Sequence, residues 1–228
     1  MKTVLVTGVA HGIGKAIAEK LSEQYRVIGL DKEIPEHHFC DTFYQCDLSN
    51  MQKLQETITQ VKSRSETFYG LINNAGIFIH KFLHEQSLHD WEKVIAVNLT
   101  APYILSQAFA PFLEHGHIIN IASTRAYMSE SGTEPYSASK GGMVALTHAL
   151  SISLSGQVSV NSISPGWINT DESYVATVEE KAWHASGRIG KPSDVAEVVS
   201  FLLEREDGFI TGSDFVVDGG VSKKMVYP

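Results

Sequence analysis

Cysteine is scarce: the 228 residues hold only Cys40 and Cys46. No C-x-x-C or paired C-x-x-C arrangement exists, which excludes zinc ribbons and dithiol redox motifs and leads us to expect a reducing, intracellular setting in which both cysteines pack. Basic residues are outnumbered. Eighteen Lys and Arg stand against 26 Asp and Glu, a net charge of −8. That sign opposes nonspecific attraction to phosphate backbones, so no nucleic-acid partner is expected. The chain also lacks an internal repeat, a Pro/Ser/Gly-rich linker or a charge block between compositional halves. A single domain spanning 1–228 follows, and a chain of this size buries roughly 70% of its unfolded surface without a disulfide or structural metal. The first residues reach Thr7-Gly8 before an apolar export signal is complete, so no such signal is expected and the protein is read as cytoplasmic.

Charge is missing altogether from 94–113 and 141–170. Those lengths suit membrane spans. Asn98, Pro102 and Gln107 interrupt the first, however, and Ser151, Ser153, Ser155, Gln157 and Asn161 the second, so no membrane partner is expected. The stretches read instead as two helices whose outer faces are also covered, either by another subunit or by a large core of the same chain; the subunit interface is the preferred reading.

What is present alternates. Short β-branched runs at 4–6, 26–30, 70–72, 117–121, 158–163 and 215–217 are separated by segments of helical spacing. In 12–24, Ile13, Ala16, Ile17 and Leu21 share one face, with Lys15, Glu19, Lys20 and Glu23 on the other. The pattern predicts βαβ units, hence an α/β fold with a doubly wound parallel sheet covered by helices on both faces.

The first strand runs straight into TGVAHGIG, residues 7–14, and then into that amphipathic helix. This is the context of a dinucleotide-binding turn: Gly8 permits the bend, Gly12 lets backbone approach a pyrophosphate, Gly14 allows close helix packing, and the helix N-terminus faces the phosphates. His11 and Ile13 lie in the same turn. The spacing is G-x-x-x-G-x-G, and a purely structural turn is the alternative. Asp31 closes the second strand 17 residues past Gly14, where a carboxylate accepts hydrogen bonds from ribose hydroxyls and repels a 2′-phosphate. NAD is therefore favoured over NADP. The alternatives are that Asp31 caps a turn, or that Lys32 and His11 offset a 2′-phosphate.

YSASK, 136–140, opens a helix and sets Tyr136 and Lys140 on one face. Bringing a phenol of pKa near 10 into the neutral range asks for roughly 4 kcal/mol, and an ammonium about 4 Å away at an effective dielectric near 20 supplies about that. Tyr136 is thus a candidate proton-transfer group, with a surface Tyr and Lys as the plain alternative. Ten histidines invite a metal reading, and His80 and His84 are four apart, but no third ligand accompanies them and no metal is expected.

The ordered set TGVAHGIG, Asp47-Leu48, NNAG at 73–76, Asn98, Ser123, YSASK, PGWINT at 165–170 and DGG at 218–220 resembles the short-chain dehydrogenase/reductase family over essentially the whole chain. The resemblance implies a Rossmann fold of about seven strands and an NAD(P)-dependent enzyme acting on CH–OH groups. It implies Tyr136 as general acid/base, Ser123 as the hydrogen-bond donor to the reacting oxygen, Lys140 as modulator of Tyr136 and ligand of the nicotinamide ribose, and Asn98 as anchor of a water relay. It also implies that Asp47, Leu48, Asn74, Ala75 and Gly76 line the adenosine side, and that Pro165, Ile168 and Thr170 lie at the nicotinamide; Asn73 is read as structural. A substrate lid is expected at about 171–190, bearing Tyr174 and Trp183, with Tyr127, Met128 and Trp167 on the facing wall and Ser193 capping the next helix. The resemblance further suggests a homotetramer, with a homodimer as the alternative. The expected substrate is a small secondary alcohol or ketone used with NAD(H). The competing readings are an NADPH-dependent 3-oxoacyl thioester reductase and a noncatalytic dinucleotide sensor.

Overall fold

The computed structural model describes residues 1–225 apart from 38, 65, 66, 114 and 172. The β-branched runs form β1 (Thr3–Thr7), β2 (Arg26–Asp31), β4 (Gly70–Asn73), β5 (Gly116–Ile121), β6 (Val158–Pro165) and β7 (Asp214–Val217), and Thr42–Gln45 supplies β3 between the cysteines. All pairings are parallel, in the order β3-β2-β1-β4-β5-β6-β7.

Alternation along each strand feeds two cores. Val4, Val6 and Val27 point to one face, where Ile17, Ala18 and Leu21 of α1 (Gly12–Ser22) meet Val195, Val199 and Leu202 of α7 (Pro192–Leu203). Leu5, Ile28 and Leu30 point to the other, against Leu54, Ile58 and Val61 of α2 (Met51–Lys62) and Leu105 and Phe109 of α4 (Ala101–Phe109). β5 and β6 are buried along their whole length, as strands covered on both faces must be. Chain order reverses direction between β1 and β4, and the crevice beyond their carboxyl ends is where open α/β sheets hold ligands.

The uncharged stretches differ from expectation in one respect. The first lies in a continuous helical run, Leu88–Phe112, made of α3 (Leu88–Ile95), a π-helical turn at Ala96–Thr100, α4 and a 3-10 turn. It has the length and apolarity to cross a membrane, yet its Ala101, Leu105 and Phe109 pack against the sheet. The second is helical only in its first part, the end of α5 (Glu134–Ser153); beyond a turn comes β6, whose lack of charge reflects burial between two layers, and then the loop that follows it. The Ser193 cap is also corrected. Pro192, pre-set for a first helical position, starts α7 one residue earlier, Lys191 is the N-cap, and Asp194 accepts from the Lys191 N–H at 2.7 Å.

Candidate active site

Three cavities adjoin one another at the carboxyl ends of the strands. The first, of about 570 Å³, is lined by Gly8, His11, Gly12, Ile13, Gly14, Asp31, Asp47, Leu48, Asn74, Ala75, Gly76 and Thr170, and also by Lys93. All but Pro165, Ile168, Tyr136 and Lys140 of the expected cofactor residues are therefore together here. Gly8 and Gly12 have φ of +75° and +58°, the left-handed region that glycine tolerates. A Cβ on Gly14 would lie 1.8 Å from the Gly8 carbonyl oxygen, so helix and turn approach as closely as the motif requires. His11 precedes α1 without capping it through its side chain, which leaves the helix N-terminus facing the cavity.

Asp31 is 8% exposed, and two backbone donors fix its carboxylate: Ala10 N–H to Oδ2 at 2.8 Å and Glu33 N–H to Oδ1 at 3.0 Å. Each oxygen keeps lone-pair capacity for a ribose hydroxyl. Of the two side chains weighed against a 2′-phosphate, Lys32 faces Glu33 with its Nζ at 3.2 Å, and His11 Nε2 lies 3.9 Å from the same carboxylate. Asn74 ties the turn to β4, donating through Nδ2 to the carbonyls of Thr7 and Gly8 at 2.9 and 3.1 Å. Asp47 accepts from Ser49 N–H and Oγ, and the Ser49 hydroxyl holds its carboxyl below the usual range. Asn73 donates to Asn120 at 2.8 Å inside the core, the structural part expected of it.

The second cavity, about 580 Å³, shares Ile13, Asn74, Gly76 and Thr170 with the first and adds Ser123, Arg125, Tyr136, Lys140, Pro165 and Ile168. β5 delivers Ser123 at its end, and the Ser123 Oγ accepts the Arg125 N–H at 3.2 Å, which leaves the hydroxyl proton free to donate. Tyr136 sits in the first turn of α5, its ring edge-on to Phe78 at 5.1 Å. Burial pushes its phenol above the ordinary value, while the Ser123 hydroxyl and the Arg125 cation pull it down. Lys140 Nζ donates to the Ile121 carbonyl at 2.7 Å and lies 5.6 Å from the Tyr136 ring centroid, and Arg125 adds a second cation beside the phenol that the spacing of YSASK did not announce. Burial lowers the Lys140 ammonium to about 8, which keeps it charged at neutral pH. Asn98, in the π-helical turn, accepts from Ile77 N–H at 2.8 Å and donates to Ile77 O and Ser139 Oγ. Its amide is thus committed to backbone and α5, beside the lysine.

The third cavity, about 460 Å³, shares Ser123, Arg125, Gly166 and Trp167 with the second and reaches Met128 and Trp183. Trp183 ends α6 (Val178–Trp183) in the expected lid segment and lies 6.0 Å from Trp167; Tyr174 is 5.9 Å from Trp167. Tyr127 is not on this wall. Its hydroxyl turns away to Asp214 at 3.0 Å, and partial burial together with that carboxylate pushes the phenol up to about 12. Sequence reasoning missed Arg125 altogether, although a lone arginine directly after a buried strand was a usable signal. Cys40 and Cys46 are buried, burial pushing the Cys40 thiol up to about 11 and raising Cys46 as well. His80 and His84 belong to an exposed ring stack with Phe82, and no metal-binding group occurs among the described residues.

Residues 8–222 match the family model adh_short_C2, described as enoyl-(acyl carrier protein) reductase. An uncharacterized oxidoreductase of Thermotoga maritima is 41% identical over 99% of this chain and 98% of its own length. A 3-oxoacyl-(acyl-carrier-protein) reductase of Aquifex aeolicus is 32% identical, covering 96% of this chain and 97% of that one. Among solved structures, 4-hydroxyisoleucine dehydrogenase complexed with NADH superposes with a TM-score of 0.91 at 31% identity, over 99% of this chain and all (100%) of that one. With its seven-stranded parallel sheet and glycine-turn cleft, the chain belongs to the short-chain dehydrogenase/reductase family of NAD(P)-dependent oxidoreductases.

Proposed function

We propose that this protein moves a hydride between NAD(H) and a secondary alcohol or ketone. The observation that carries the reading is the cavity in which Ser123, Tyr136 and Lys140 meet, continuous with the cleft of the glycine turn and Asp31. The dinucleotide, when bound, supplies the hydride acceptor or donor. Tyr136 Oη exchanges the proton of the substrate oxygen. Ser123, its Oγ already accepting a backbone N–H, donates its hydroxyl proton to the charge growing on that oxygen. Lys140, charged at neutral pH, holds the nicotinamide ribose and shares protons with solvent along a relay anchored by Asn98. Asp31 holds the adenosine ribose and selects NAD, a reading supported by Glu33 standing against Lys32. Reduction of 3-oxoacyl thioesters with NADPH is the second reading, favoured by the reductase relative. Asp31 opposes it.

The partners we infer are a small-molecule substrate and further copies of this chain in a cytoplasmic homotetramer, with neither nucleic acid nor membrane. Exposed apolar side chains on several elements support association: Tyr103 on α4 and Ile152 on α5, 47% and 77% exposed, and Phe201 on α7 and Val216 on β7. The mechanism is tested by Tyr136→Phe, expected to lower turnover by about 10²- to 10⁴-fold while NADH still binds and the melting temperature holds. Ordinary turnover in that variant refutes Tyr136 as the proton-transfer group, whereas a wild type that binds NADH yet turns over no alcohol or ketone leaves the dinucleotide sensor as the better reading.

A further inference from the structure

We infer that Arg125 is the receptor for a carboxylate on the substrate, so that the alcohol or ketone handled here is a hydroxy or oxo acid. The inference rests on the oxidoreductase reading above and names the substrate class of the same site.

Position is the first ground. Arg125 stands on the wall common to the cavity of Ser123 and Tyr136 and the cavity beyond it, so a molecule extending from the reacting oxygen into the third cavity passes its guanidinium. Among the described residues lining that third cavity it is the sole lysine or arginine, in a chain whose net charge is −8. Met128, Trp167 and Trp183 give that cavity an apolar wall beside the guanidinium.

Chemistry is the second ground. The guanidinium is a rigid planar fork whose donors match a carboxylate in bidentate fashion. It already holds one: Nη2 lies 2.9 Å from Oε2 of Glu130, whose own side chain is 73% exposed against 24% for Arg125. An exposed side chain of this kind swings into solvent at small cost, and a substrate carboxylate takes its place. A second group awaits a partner nearby. His184, 4% exposed and on the same cavity, has Nδ1 3.1 Å from the Glu180 carbonyl; since a carbonyl only accepts, Nδ1 carries the proton in the neutral ring. Its Nε2 is then a buried acceptor without a hydrogen-bond partner among the described residues.

The experiment compares acetoacetate and levulinate with their methyl esters as substrates for NADH oxidation, in the wild type, Arg125→Met and Arg125→Lys. The acid-to-ester ratio of kcat/KM is the readout, because the Arg125 charge also acts on Tyr136 and shifts absolute rates for both members of a pair. The expected ratio is at least tenfold in the wild type, near one in Arg125→Met and intermediate in Arg125→Lys. A wild-type ratio near one, or a ratio that survives in Arg125→Met, overturns the inference. Should the wild type reduce none of the four, that result bears on the oxidoreductase reading of these ketones, and calorimetric titration of glutarate into the NADH-loaded protein decides the inference instead. Arg125-dependent glutarate binding then upholds it, and binding that is absent or unchanged in Arg125→Met overturns it.

Discussion

Replacing Asp31 with Asn changes one charge at a buried, rigid position, and its consequences can be worked from the geometry. In the wild type the carboxylate is held by the Ala10 and Glu33 N–H groups, so it meets a ribose without reorganising. Hydrogen bonds to a charged acceptor contribute about 1.5–3 kcal/mol. Asn keeps one acceptor oxygen and loses the charge, so NADH should bind about 10- to 150-fold more weakly. The opposite holds for NADPH. A unit charge about 4 Å from a carboxylate costs up to about 4 kcal/mol at an effective dielectric of 20, and the substitution removes that repulsion. The ratio of the NADPH to the NADH dissociation constant is therefore expected to fall by at least about a hundredfold. Nicotinamide fluorescence titration at fixed ionic strength measures both constants without knowledge of the substrate. One backbone donor loses its partner in the variant, a cost of about 1–3 kcal/mol, so melting temperatures must be followed alongside. A ratio that moves less than threefold, or a wild type that binds NADPH as tightly as NADH, refutes the carboxylate argument.

Two further outcomes are expected. His117 is buried, its Nε2 lacks a hydrogen-bond partner, and burial lowers its pKa to about 4 from an ordinary 6.5. Between those values the unfolded chain takes up a proton that the folded one does not, so stability is complete above about pH 6.5 and falls by about 3 kcal/mol on the way to pH 4; urea midpoints across this window should lose most of that slope in His117→Phe, and an identical slope would contradict the assignment. In sizing chromatography at micromolar concentration the wild type should elute well above 25.1 kDa, and Ile152→Glu, on the exposed side of α5, should shift it to a smaller species; a wild-type monomer sinks the assembly proposed here.

Much of the dinucleotide cleft was legible because its determinants are local. The glycines of 7–14 are dictated by backbone geometry within a single turn, and Asp31 by the end of the next strand, so reading along the chain suffices to find them. The same is true of the sheet, where β-branched alternation sorts Val4 and Val6 from Leu5 before any strand is paired. That Ser123, Tyr136 and Lys140 share a cavity was legible from the motifs, but the electrostatics there were not. Spacing on a helix brings Tyr136 and Lys140 to one face, yet it cannot say which acceptor the ammonium finds, and the Ile121 carbonyl at the end of β5 takes it. Tyr127 was misjudged for a related reason: its partner Asp214 is on β7, far along the chain, so an aromatic expected on the pocket wall is drawn out of it.

Sequence alone determined most of the strands, their parallel architecture and the glycine turn, since these follow from periodicity and from the steric demands of glycine. Only tertiary structure decided which charges face one another, because the field at Tyr136 on α5 depends on burial and on Ser123 and Arg125 in the segment after β5, which the fold brings against it. Coulomb interactions fall with distance through a medium whose polarity burial sets, and neither distance nor burial is written in the order of residues.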